Sequence, residues 1–295
     1  MPNPFSIEGQ WFKGNLHLHT TGSDGKTAPQ EAITSYAAHG YDFLAITDHR
    51  QVTEIDGLDH KGMLMIPGIE MDGGQTDIGG SYHIVAMGAK GPMSYDPEWS
   101  AQELIDYGNE NAEFVFIAHP YWLSLTLADM IDLEGYIGLE VYNTTCHYGI
   151  GRGDSGAHWD DLLARGKRLY GFGVDDAHFG YADGWVGYTK VKAQECEYDD
   201  IIAAIKAGSF YASNGPTINN LQRDGNSLLV ECSPCWEIRV MCPLPGRGTT
   251  TYRSGHKPPF TEVEFEISEQ TDPIRIECID EVGNKAWSNP MWLSQ

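Results

Sequence analysis

The chain has 295 residues, 41% hydrophobic and 21% charged, the composition of a globular protein long enough for one large domain or two. A formal charge of −23 argues against a nucleic-acid-binding surface and suits the retention of divalent cations. No apolar run marks a membrane-spanning helix, and Met1-Pro2-Asn3-Pro4-Phe5 lacks the basic and apolar stretches of a signal peptide, so a cytoplasmic protein without a membrane partner is expected.

Asn15 to His19 reads as a strand. A helix starts near Pro29, turns Ala32, Ile33, Tyr36 and Ala37 to one apolar face, and ends at Gly40. Tyr41 to Thr47 is the next strand, with Phe43, Leu44 and Ile46 as its apolar body. Further strands are expected at Met63–Ile66, His83–Met87, Phe114–Ala118, Leu139–Val141 and Leu169–Val174, and helices at Ala101–Asn111, Asp160–Arg165 and Asp200–Ala207. This alternation predicts βα units and an α/β fold, barrel-like rather than open, although periodicity alone leaves the open sheet standing.

From about Asn219 the texture changes. Leu228–Val230, Glu237–Val240, Val263–Ile267 and Ile274–Glu277 alternate as strands, separated by turn residues such as Asp224-Gly225 and Gly283-Asn284. The expected organisation is a barrel over residues 1–218 and a small β-sandwich-like domain over 219–295.

His17 and His19 are two apart on an expected strand and so share a face, where two imidazoles can hold one ion. The pair alone is weak evidence. Ligand-type residues recur, however, mostly where strands end: Asp24 in a Gly-Ser-Asp-Gly turn, His49 after Thr47-Asp48, Glu70 after Pro67-Gly68, His83, His119 before Pro120, and the Asp176-Ala177-His178 pair. Strand ends converge in such folds. A mixture of imidazole and carboxylate without cysteine suits Zn²⁺, Mn²⁺ or Fe²⁺, and so many candidates fit two or three divalent ions, with Glu70 as a natural bridge.

Six cysteines are present. Cys232-Ser-Pro-Cys235 has C-x-x-C spacing, which raises a zinc or redox reading, but no second pair follows at zinc-ribbon spacing. Cys242 or Cys278 could complete a site only if the fold brought it there, and buried thiols are the plainer expectation.

Taken together, His17-Leu-His19, Thr47-Asp-His49, Gly68-Ile-Glu70 with His83, His119-Pro120 and Asp176-Ala-His178 resemble the motifs of the polymerase-and-histidinol-phosphatase (PHP) superfamily, over roughly residues 12 to 215. The resemblance implies a distorted (βα)7 barrel and a two- or three-metal site. It implies His17, His19, Glu70 and Asp176 around a first ion, Glu70, His83 and His119 around a second, and Asp24, His49 and His178 around a third. Trp11-Phe-Lys-Gly-Asn-Leu-His, Gly40-Tyr-Asp-Phe-Leu-Ala-Ile-Thr-Asp-His, Phe210-Tyr-Ala-Ser-Asn-Gly-Pro and Ala286-Trp-Ser-Asn-Pro look like the CehA/McbA-type branch, which includes carbamate ester hydrolases.

The expected chemistry is hydrolysis by a metal-bound hydroxide. Asp48 or His178 is a candidate proton shuttle, with Asp48 equally suited to supporting a ligand, and Arg50 could meet a phosphate. Glu140, Tyr142 and Asn143 are expected to line the pocket. His147, Arg152 and His158 could belong to a lid or an ordinary surface loop. A phosphoesterase of a small phosphorylated metabolite leads. A carboxyl- or carbamate-ester hydrolase using the same ions is the rival, favoured by the scarcity of cationic residues. A non-catalytic metal- or ligand-binding module is a third reading.

Overall fold

The computed structural model describes residues 3–252, 257–268 and 271–292. In chain order the first part runs β1 (Gln10–Asn15), α1 (Pro29–Ala38), β2 (Phe43–Ile46), β3 (Leu64–Gly73), β4 (Tyr82–Met87), α2 (Ala101–Asn111), β5 (Phe114–Ile117) and α3 (Leu127–Met130). It continues with β6 (Gly138–Asn143), α4 (Thr144–Ile150), α5 (Gly156–Leu163), β7 (Tyr170–Val174), β8 (Tyr188–Ala193), α6 (Tyr198–Lys206) and β9 (Phe210–Ser213). Six further strands follow: β10 (Ile218–Asp224), β11 (Ser227–Cys235), β12 (Glu237–Met241), β13 (Thr249–Tyr252), β14 (Phe260–Glu266) and β15 (Arg275–Ile279); β16 (Lys285–Ser288) is the last.

The α/β expectation holds, but the sheet is mixed. β1, β2 and the first half of β3 are parallel, as are β5, β6 and β7. Between them β3, β4 and β5 are antiparallel, and β8 runs antiparallel to β1. β3 makes this change possible. Leu64–Pro67 pairs with β2, then Gly68–Gly73 pairs with β4. Pro67-Gly68, which reads as a strand end, is instead the point where one long strand changes partners. Proline has no N–H to give to a ladder, so it suits that junction.

Alternation along the strands sorts the core. Phe43, Ala45, Phe114, Phe116, Phe172 and Phe210 belong to one inner cluster, and Leu44 and Ile46 face the opposite way against Ile33 and Tyr36 of α1. Val115 and Ile117 likewise turn outward to pack with Leu104 and Ile105 of α2. Within the inner cluster Phe172 stacks between Phe116, at 4.5 Å, and Phe210, at 4.8 Å. Each fully buried phenylalanine contributes roughly 2–3 kcal/mol, so this cluster is a firm floor. α2 begins with a reciprocal cap between Ser100 and Glu103, which satisfies its free N–H groups.

The expected boundary at residue 219 falls inside β10. β12, β13, β15 and β16 extend the main sheet, because β16 pairs with β9. β10, β11 and β14 form a separate three-stranded sheet. Leu221, Leu228, Val230 and Phe265 from it share an apolar cluster with Ile238, Val240, Ile276 and Cys278. Two facing β layers are therefore present, but one of them is continuous with the α/β part.

Candidate metal centre

β1 stops at Asn15, short of the histidine pair. Residues 16–20 continue in extended form and pair with the segment after β7: Asp176 N–H donates to the His17 carbonyl at 2.8 Å, and His19 N–H to the Ala177 carbonyl at 2.9 Å. Asn15 fixes the register, its side chain accepting from Asp175 N–H and donating to the His17 carbonyl. Leu18 turns outward into the α1 cluster, so His17 and His19 turn inward together. The two ligand pairs most distant in sequence are thus aligned by one short parallel bridge between Leu18 and Ala177.

Four side-chain atoms then converge. His17 Nε2 lies 3.1 Å from His19 Nε2, 3.2 Å from Glu70 Oε2 and 3.3 Å from Asp176 Oδ1. His19 Nε2 lies 3.0 Å from each of those two oxygens. An ion with bonds of about 2.0 Å in a tetrahedron spaces its ligands about 3.3 Å apart. Asp176 Oδ1 is buried and accepts no hydrogen bond, an arrangement that costs free energy unless a cation occupies the centre. The residues present fit a divalent ion.

Glu70 turns its other oxygen elsewhere. Oε1 is 2.7 Å from His83 Nδ1 and 3.2 Å from His119 Nε2. His83 reaches this end because β4 is antiparallel, which brings the start of the strand beside the ends of its neighbours. His49, Glu70 and His83 form a compact ligand triple. The grouping implied by the resemblance differs here: His119 approaches Glu70 but stands outside the triple that His49 completes. A third group, His19, Asp24, His49 and His178, lies towards the rim. His178 Nδ1 donates to the Asp176 carbonyl, leaving Nε2 3.3 Å from Asp24 Oδ2. Asp24 is 55% exposed on its side chain, unlike the fully buried His17 and His19. Its turn is held close by Gly25, where an added Cβ would sit 2.3 Å from the His19 carbonyl oxygen.

The electrostatics follow from burial and proximity. Burial disfavours charge on His17, yet Asp176, Glu70 and Glu140 raise its pKa well above normal. Burial likewise opposes charge on His19, but the neighbouring Asp176 and Glu70 carboxylates carry it up to about 9. Burial disfavours the Glu70 and Asp176 carboxylates, and the surrounding histidines, His17 foremost, hold both below the usual range. A cation and the imidazole protons therefore compete for the same sites.

Two residues gain roles that a list of ligands misses. Glu140 is a hub: Oε1 accepts from His17 Nδ1 at 2.6 Å, and Oε2 accepts from His119 N–H at 2.9 Å and Asn143 Nδ2 at 2.8 Å. The first bond fixes the His17 tautomer and aims Nε2 inward. Its signal was a carboxylate between Leu139 and Val141 in an otherwise apolar strand. Asp175 accepts from Tyr36, Thr144 and the N–H groups of Trp185, Val186 and Gly187. Even so, burial lifts it to about 6. It anchors the backbone beneath Asp176, itself held at a left-handed φ of 54°.

The residues put forward for proton transfer and anion binding sit differently. Asp48 accepts from Thr20 N–H, Thr20 Oγ1, Ser23 Oγ and Thr53 Oγ1, which keep its pKa low despite burial. Both oxygens are filled, and the carboxylate ties down the 20–23 turn. Arg50 is 60% exposed on its side chain and is engaged by the Asp72 carboxylate. His147 lies in α4 and His158 in α5, so the expected Gly-rich loop is largely helical; Arg152 donates to Ser124 Oγ.

The cluster opens into a 270 Å³ cavity whose lining adds Trp122, Thr145, Cys146 and Tyr181 to the histidines and carboxylates. Tyr142 and Asn143 do not line it. A larger cavity of 550 Å³, bordered by Phe5, Tyr170, Arg223 and Met291, has no histidine or carboxylate in its lining among the described residues.

No family model matches the chain. In an alignment that takes in 22% of its length, it is 33% identical to the DNA polymerase/3'-5' exonuclease PolX of Bacillus subtilis, and that stretch spans 15% of the polymerase. A two-domain protein from Bacteroides vulgatus, containing a predicted PHP-like metal-dependent phosphoesterase, superposes with a TM-score of 0.50 at 14% identity, covering 96% of both chains. An amidohydrolase from Chromobacterium violaceum, with bound sulfate and no metal, gives a TM-score of 0.47 at 15% identity, over 67% of this chain and 96% of that one.

Proposed function

From the PHP-like fold that its motifs resemble, we propose that this chain is a metal-dependent hydrolase, with a phosphoesterase acting on a small phosphorylated molecule as the leading form. The observation that carries the proposal is Asp176 Oδ1, a buried oxygen without a hydrogen-bond donor, facing three further ligand atoms at ion-binding spacing. We read the curled sheet as a distorted PHP-type barrel, with the β layers after residue 218 as its appended unit.

Bound divalent ions would supply Lewis acidity and a nucleophile at neutral pH. His17, His19, Glu70 and Asp176 would hold the inner ion; Glu70, His83 and His49 would hold a second, with His119 alongside; Asp24, His49 and His178 would hold one at the rim. Glu140 keeps His17 in the ligating tautomer. With the rim ion absent, His178 Nε2 would be free to carry a proton to the leaving oxygen, whereas Asp48 is a support for the turn. Trp122 and Tyr181, both partly exposed, add aromatic surface to the cavity lining.

One observation favours the rival, a carboxyl- or carbamate-ester hydrolase of the CehA/McbA type. No lysine or arginine lines the cavity among the described residues, and Arg50 is engaged by Asp72. The test is a panel with purified chain loaded with Zn²⁺, Mn²⁺ or Fe²⁺. Phosphate release from p-nitrophenyl phosphate, abolished by His17→Ala, supports the leading form. Cleavage of 1-naphthyl acetate or carbaryl alone replaces it with the rival. Bound metal with no turnover on any substrate would leave a binding module.

A further inference from the structure

Residues 228, 230 and 232 of β11 point inward in strict alternation. Continued without interruption, that alternation would put Cys235 on the opposite face from Cys232. Instead the register against β14 shifts between Glu231 and Cys235, and Pro234 is pushed out to solvent. A bulge of this kind re-aims the side chain that follows it. Both cysteines consequently enter the apolar cluster between the two β layers. Cys278 comes to the same point from β15 in the other sheet, held in register between Ile238 and Ala286.

The three sulfurs lie within 4.8 Å of one another, and all three residues are buried free thiols. Three thiolates around one ion, with bonds of about 2.3 Å, would be roughly 4 Å apart. Closure on an ion therefore needs only small movements. A disulfide would use two sulfurs and leave the third behind; an ion uses all three.

We propose that Cys232, Cys235 and Cys278 bind one thiophilic metal ion, Zn²⁺ or Cu⁺, which staples the three-stranded sheet to β15. Thiolate softness excludes Mg²⁺ and Ca²⁺. Loading expels the thiol protons of all three cysteines to solvent, since the thiolate is the ligand. The cluster keeps a single residual negative charge with Zn²⁺ and two with Cu⁺, which favours Zn²⁺ in so apolar a setting. The Phe260 carbonyl, 3.8 Å from Cys232 Sγ, is the oxygen at hand for a fourth position. The site is separate from the hydrolase centre and is structural in purpose.

The test uses the full chain, unfolded with chelator and reductant and refolded with Cd²⁺ as a spectroscopic stand-in for Zn²⁺. Cadmium on thiolates absorbs in the ultraviolet by charge transfer, which imidazole and carboxylate ligands do not produce. The expected result is a band that falls at least tenfold in Cys278→Ser and Cys232→Ala and is unchanged in Cys242→Ser. Cys146 is retained throughout, so the lost band belongs to the cluster. Refolding with Zn²⁺ should give one zinc by native mass spectrometry that Cys278→Ser lacks, and a parallel Cu⁺ refolding identifies the preferred ion. If Cys278→Ser fails to fold, Cys278→Ala keeps the apolar contact. Wild-type chain that refolds with Cd²⁺ but shows no thiolate band overturns the proposal. So does a disulfide found among the three by peptide mapping of the native protein.

Discussion

The inner and outer halves of the ligand cluster are built in different ways. His17, His19, Glu70 and Asp176 are buried, and each is set by backbone pairing or by a partner behind it, such as Glu140 behind His17. Asp24, His49 and His178 are partly exposed, and Asp24 sits on a surface turn that Asp48 ties down from below. A pre-aligned, dry set binds an ion without first being ordered, whereas a set on a turn must be ordered by the ion itself. The inner ion should therefore be the tight one and the rim ion the exchangeable one.

Removing the Glu70 carboxylate should disable the inner centre and its neighbour together. Glu70→Ala takes a ligand from both the inner centre and its neighbour, so catalytic efficiency should fall by about a thousandfold or more, several kcal/mol of transition-state stabilisation. Bound metal, counted by mass spectrometry, should fall with it. Retained inner metal in this variant would show that Glu70 is not the bridge.

The metal-free protein offers the next largest effect. His19 is raised from 6.5 to about 9 when no ion is present. A raised pKa contributes stability that is fully present below pH 6.5 and is lost as pH rises through 9, of the order of 3 kcal/mol for this one group. Thermal unfolding with chelator should therefore show Tm falling from pH 6.5 to 9.5. With saturating Zn²⁺ the trend should flatten, because an ion replaces the proton. Parallel curves with and without metal would sink this account.

The support behind His17 separates ligand from positioner. Glu140→Gln keeps shape and one acceptor but loses the charge, and should cost about 10–100-fold in inner-metal affinity. Asp24→Asn should cost less, about tenfold, and only in occupancy of the rim ion. Titration with Zn²⁺ followed by calorimetry distinguishes the two, since the first variant shifts the tightest binding event and the second shifts the weakest.

The same contrast marks what the sequence could disclose. The inward pairing of His17 and His19 follows from i, i+2 spacing in extended chain, and it holds although β1 itself stops at Asn15. Helix α2 is legible because Ser100, Glu103 and the Leu104-Ile105 face are all local signals. β8 and β9 carry no local strand signal, and the change of partner at Pro67 looks like an end, because pairing with other strands decides both: β8 lies against β1, about 180 residues earlier, and Pro67 stands between partners in β2 and β4. The convergence of Cys278 on Cys232 and Cys235 depends on a bulge, where four steps along β11 face two along β14, and such a shift leaves no periodic trace. Glu140 shows the remaining limit: a lone carboxylate in an apolar strand announces that something compensates it, but not that the partner is a histidine 123 residues earlier.

Arg50 should give the smallest effect and the sharpest reading of substrate. It stands next to His49, where a phosphate-binding cation would be useful, yet its exposed guanidinium faces Asp72, whose side chain is only 16% exposed. A pair open to water on its arginine side contributes about 1 kcal/mol, so Arg50→Ala should leave folding intact and change turnover of a neutral ester by less than about threefold. Asp72 is the counterweight, because its Oδ1 lies 3.6 Å from His49 Nδ1. Freed of the arginine, it should draw His49 towards its charged form and weaken the rim ion slightly. A loss of a hundredfold or more on a phosphate monoester, with the neutral ester unaffected, would mean that Arg50 leaves Asp72 to clamp the phosphate. In that case the rim would carry substrate charge as well as metal, and its looseness would be the means by which it turns from one to the other.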